Sequence, residues 1–85
     1  MAFNYKGGKL QLTATFQRIN SSTNLTHYLN VRSALSNGTV WLSADGVTEC
    51  GFLQAGEARQ FIGTPPAGVY AKGTAGDGLY WDVNE

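Results

Sequence analysis

Apolar and polar residues alternate with a period of two along most of this chain, and that spacing predicts β-strands. In "KLQLTATF" the alternation puts Leu10, Leu12, Ala14 and Phe16 on one face, with Lys9, Gln11, Thr13 and Thr15 on the other. In "HYLNVRSA", Leu29 and Val31 point inward and Asn30 and Arg32 outward; in "TVWLS", Val40 and Leu42 share a face opposite Trp41. A short strand follows from Ala58 to Ile62, and "VYAKGT" and "LYWDVNE" supply the last two.

Turn-forming residues separate these runs. "INSSTNLT" is a polar connection, Asn37-Gly38 and Gly76-Asp77-Gly78 read as hairpin turns, and Asp45-Gly46 as a turn dipeptide. Pro65-Pro66 removes two ladder donors, so "GTPPAG" is not an internal strand. About six strands with turn signals every eight to twelve residues, and no convincing helix, predict an all-β fold: a small antiparallel β-sandwich or partly open barrel. Gly7-Gly8 weakens any strand passing through it, so residues 1–8 are expected to form a flexible N-terminal arm and residues 9–85 a single domain.

The stretch "SADGVTECGFLQAGEARQF", residues 43–61, gathers the only cysteine, acids, an arginine and glycines. Its composition reads as scaffold: a loop, a short bridge and a turn. Phe52 and Leu53 are expected to plug one end of the core, Glu57 and Arg59 to face outward, and Cys50 to be buried.

Charge narrows the function classes. Six Lys and Arg balance six Asp and Glu among 85 residues. The basic residues are scattered, whereas nucleic-acid binding needs them clustered to displace counterions. No apolar run approaches the ~18 residues of a membrane-spanning helix, and "MAFNYKGG" lacks the basic and apolar regions of a signal peptide. Synthesis and folding in a cytosol are expected, and the sequons at Asn20, Asn24 and Asn37 read as composition. A single cysteine cannot close an intrachain disulfide.

Several pieces of the chain together resemble the small β-sandwich modules of tailed-bacteriophage virions. They are Val40 to Leu42 after an Asn-Gly turn, Val47-Thr48, Gly51-Phe52-Leu53, Gly56-Glu57, Tyr70-Ala71, and a last strand from Leu79 to Val83. The resemblance covers roughly residues 28–84; the first third of the chain carries none of these pieces. It implies a structural or adhesive role without chemistry: a homo-oligomeric capsid decoration or cement protein, or a fibre or tail module. The implied partners are copies of itself and a major capsid or other virion protein, and the implied location is a virion assembled in a bacterial host.

Residue chemistry agrees with that expectation. His27 and Cys50 are each the only one of their kind and lie in different segments, which leaves neither a nucleophile pair nor a zinc set. The acids Glu49, Glu57, Asp77 and Asp82 fall in turn contexts, so no enzyme, cofactor or metal site is expected. The aromatic residues are the candidates for contact. Trp41, Tyr70 and Tyr80 fall opposite the core-facing positions of their strands, and Phe3 and Tyr5 sit on the arm. They form the candidate interface, on the argument that exposed Trp and Tyr supply rigid contact area. Sugar stacking on a carbohydrate-binding module is the alternative use of the same rings.

Overall fold

The computed structural model describes residues 5–84, and it is an antiparallel β-sandwich. Its strands are β1 (Tyr5–Gln11), β2 (Gln17–Arg18), β3 (Tyr28–Ser33), β4 (Val40–Ser43), β5 (Gly51–Leu53), β6 (Ala58–Phe61), β7 (Tyr70–Lys72) and β8 (Gly78–Asn84). One sheet has the order β1-β8-β3-β6 and the other β2-β7-β4-β5. Of the successive connections only β4 to β5 stays within a sheet; each of the others crosses to the opposite one, which is jelly-roll connectivity.

The core is aliphatic. Leu12, Leu29, Val31, Val40, Leu79 and Val83 are fully shielded, joined by Ile19, Leu42, Leu53, Val69 and Ala71, with Leu10, Phe61 and Trp81 packed at the margin. Alternation within β3, β4 and β8 delivers most of these, as the sequence predicts. Each buried Leu or Val contributes about 1.5–3 kcal/mol by leaving water.

Several expectations change. Tyr5 to Gly8, assigned to the arm, are strand: they pair with Asn84 to Trp81 of β8. The register favours glycine, because a Cβ on Gly8 would stand 3.1 Å from the nearest atom of the Trp81 indole. The remaining arm residues, Phe3 included, lie outside the described residues. At the other end β1 stops at Gln11, and the Thr13 hydroxyl accepts from the Thr15 amide at 3.3 Å, turning the chain. Leu12 is therefore the last core residue of that run, and Ala14 is exposed. The two strands beyond the expected six are β2 and β5, too short to show an alternation.

Neither Asn37-Gly38 nor Gly76-Asp77-Gly78 makes a hairpin, since each links strands of different sheets. Asn37 keeps negative φ and turns its side chain inward. Its Nδ2 donates to Ser33 Oγ at 2.9 Å and to the Gly78 carbonyl at 2.6 Å, and its Oδ1 accepts from the Gly78 amide at 3.2 Å. The hairpin that does form is β4–β5, whose loop opens on Asp45-Gly46, with Gly46 at φ 82.

Edge strands carry charges turned toward the interior side. Lys6 pairs with Val83 and Arg59 with Val31, and residues directly opposite in a ladder face the same way. Arg59 is thus not on the outer face: a Cβ on Gly51 in the other sheet would stand 2.6 Å from its Nη1. Inward charges on β1 and β6, and the shortness of β2 and β5, deter addition of a further strand to either sheet.

Candidate functional site

The residues of β1, β8, β3 and β6 that point away from the core form a concave outer face with a cavity of about 940 Å³. Register lines these residues into rows. One row runs Gly7, Asp82, Asn30, Gln60 across the four strands, and the next Lys9, Tyr80, Arg32, Ala58. Neighbours in a row are about one strand spacing, ~4.8 Å, apart.

Tyr5 and Tyr80 rise from this face, 64% and 46% exposed. The Tyr5 hydroxyl donates to Asp82 Oδ2 at 2.8 Å, and that carboxylate holds the phenol's pKa above its ordinary value by accepting the bond and by its charge. Lys9 Nζ lies 5.5 Å from the Tyr80 ring centroid, and Arg32 Nη1 donates to the Gly56 carbonyl at 3.2 Å. Asn30 and Gln60 make no side-chain hydrogen bond among the described residues, although each amide is both donor and acceptor.

The opposite sheet carries the other two candidate rings, already engaged. Trp41 meets Phe52 with centroids 5.6 Å apart and planes tilted 58°. Tyr70 packs on Gly46, and Arg18 covers it with the guanidinium 5.4 Å from the ring and Nε 3.1 Å from the hydroxyl. Beside them Lys72 bridges Glu49 at 3.2 Å and sits 4.7 Å from the Phe16 ring. The four described candidates therefore form two surfaces back to back: Tyr5 with Tyr80, and Trp41 with Tyr70.

The sandwich ends are apolar in places. Leu35, Val47, Leu25 and Ile62 are 88%, 81%, 73% and 71% exposed. Leu25 and Ile62 sit in loops held together by a hydrogen bond from Thr26 to the Thr64 carbonyl and another from Ala67 to Ser22. The β4–β5 loop with Val47 is at the same end, since its Gly46 lies against Tyr70 where β7 begins. Sequence reading passed over these residues because single aliphatics within polar loops carry no periodic signal.

The candidate chemical groups stay apart. His27 donates its amide to Asn84 at the end of the first sheet, while Cys50 donates its amide to Leu42 in the second, and Cys50 is exposed rather than buried. Glycine on one side and the open β4–β5 loop on the other leave nothing to cover it. Glu57 accepts from the Gln54 amide, Asp77 from the Gly38 amide, and Asp82 from Tyr5, each at 2.9 Å or less. Among the described residues no group of three or more His, Cys, Asp or Glu is placed to hold a metal ion.

No family model matches the chain, and no curated protein matches its sequence. Solved structures do. An RmlC-like cupin protein from Desulfovibrio desulfuricans is 17% identical with a TM-score of 0.67, over 99% of this chain and 74% of that one. A de novo designed double-stranded β-helix is 9% identical with a TM-score of 0.54, covering 95% of this chain and 96% of the design. Bacillus endospore appendages, which form disulfide-linked pili, are 16% identical with a TM-score of 0.52, over 98% and 87%. At these identities the likeness is one of fold: the chain is a small all-β sandwich with cupin-like and pilus-like structural neighbours.

Proposed function

We propose that this chain is a non-enzymatic structural protein of a bacteriophage virion, a decoration or cement subunit that stabilises the particle by adhesion. The observation that carries the reading is the apolar loop end, where Leu25, Ile62 and Val47 stand in solvent. Exposed aliphatics of this kind mark contact surfaces, and a small domain gains stability by covering them. Blocked sheet edges give the direction of assembly: subunits meet through loop ends and faces, not by strand addition. Repetition over a symmetric shell multiplies a modest contact energy. A fold shared with a pilus-forming appendage is compatible with assembly in many copies.

Two measurements test it. Mass spectrometry of purified virions should find the chain at a copy number comparable with the main shell protein; its absence from particles removes the virion role. Light scattering should give a defined oligomer that dissociates in the Leu25→Ser, Ile62→Ser double variant. A monomer at all concentrations removes self-association.

A further inference from the structure

The geometry points to a saccharide-binding site on the concave face of the β1-β8-β3-β6 sheet, one that takes a neutral, hydroxyl-rich sugar chain. This holds whether or not the chain belongs to a virion. Three features of the face select that ligand.

The first is unused hydrogen-bonding capacity in a row. Asn30 and Gln60 stand opposite each other on β3 and β6, and Asp82 stands opposite Asn30 on β8. Neither amide has a side-chain partner among the described residues, and Asp82 accepts from the Tyr5 hydroxyl through Oδ2, which leaves Oδ1 for a ligand. Amides that donate and accept, beside a carboxylate that accepts, match hydroxyl groups, which also do both.

The second is the placing of the rings. Tyr5 and Tyr80 bound the row from its two sides, and their exposed ring area, on Tyr80 the part that Lys9 does not cover, suits the C–H faces of a pyranose. At the end of the row Gly7 keeps the trough clear: a Cβ there would stand 3.2 Å from the Asp82 Cβ. A concave site of about 940 Å³ lies in the range of ligand clefts.

The third feature decides between a sugar and a protein. The strongly exposed aliphatics that would anchor a protein partner, Leu25, Leu35, Val47 and Ile62, all lie in loops off this face. Both signs line the cavity, Asp82 with Lys9, Arg32 and Arg59, and this small positive excess is not the clustered charge that a charged polymer needs.

The test is affinity electrophoresis of the whole chain through gels containing dextran, mannan, galactan or a soluble β-glucan, followed by amide NMR titration with the polysaccharide that retards it. Retardation by at least one polysaccharide is expected, weakened tenfold or more in Tyr80→Ala and in Asn30→Ala. Phe52→Ala, on the opposite sheet, should be retarded like the parent. The largest amide shifts should fall on Gly7, Asn30 and Asp82, a readout that does not depend on any variant folding. No retardation by any of the four, retardation indifferent to both substitutions, shifts confined to the other sheet, or a protein found to occupy this face would each overturn the assignment.

Discussion

Gly7 meets the backbone of Trp81 so closely that a Cβ on Gly7 would stand 2.7 Å from the Trp81 carbonyl oxygen. A backbone atom inside a sheet cannot swing aside as a side-chain tip can. Gly7→Ala is therefore expected to lower stability by about 1–3 kcal/mol, the range for overpacking, although alanine is normally tolerated in a strand. Urea denaturation with tryptophan fluorescence reads the change, and a midpoint equal to that of the parent would contradict the close approach.

Deleting residues 1–8 removes the part of β1 that pairs with Asn84 to Trp81 and leaves the edge of β8 bare. That variant should melt well below the parent and associate through the uncovered strand. Deleting residues 1–4 keeps every described β1 pair, and that variant should melt above the one lacking residues 1–8. Differential scanning calorimetry separates the two; equal melting temperatures would mean that the Tyr5 to Gly8 pairs contribute nothing.

Asn37→Ala leaves the Gly78 amide and carbonyl and the Ser33 hydroxyl without this partner in a buried setting. Each buried group left unpaired costs about 1–3 kcal/mol. The loss should exceed that of removing an exposed Asn such as Asn24, by equilibrium unfolding of the two variants. Burial of this side chain also closes the Asn37 sequon to modification in the folded protein.

Asp45 accepts from the Thr48 and Val47 amides and from the Ser43 hydroxyl, in that order of effect, and its pKa is held well below the ordinary carboxylate range. A carboxylate with a folded pKa below the unfolded one, about 3.9, stabilises fully above that unfolded value and loses the contribution as pH falls toward the folded one. Melting temperatures between pH 6 and pH 2 should fall more steeply below about pH 4 in the parent than in Asp45→Asn. Parallel curves would show that the loop does not depend on the charge.

Cys50 is exposed, with its Sγ 3.6 Å from the Thr48 carbonyl. Ellman's reagent should titrate one thiol per chain without denaturant, and Cys50→Ser should leave the unfolding midpoint unchanged. A thiol that reacts only after unfolding would place it inside.

Much of this architecture can be read from alternation, because a half-buried strand writes its two faces directly into the sequence. Leu29, Val31, Val40, Leu42, Leu79 and Val83 were placed that way, as were the outward Asn30, Arg32 and Tyr80. Pairing is a different matter. Asn37-Gly38 carries the local chemistry of a hairpin, yet its neighbours β3 and β4 lie in opposite sheets, and the Asn side chain serves that crossover instead. Arg59 was misplaced for a related reason: on a thin edge strand a long cation can leave the inner side, so its polarity says little about its face. The concave row was legible only one strand at a time, because Gly7, Asp82, Asn30 and Gln60 become neighbours through register between distant segments.

In the first sheet β8 lies between β1 and β3, so among the described strands the last in chain order is the one that joins two early ones. On a ribosome, β1 and β3 would emerge with their shared partner still untranslated, and their ladders would wait for it. Closure of this sheet therefore waits for β8, and folding is slow among domains of its size, because most of its pairings span long loops. A nascent chain stalled before Gly78 would hold the alternating pattern of a sandwich without the strand that closes it.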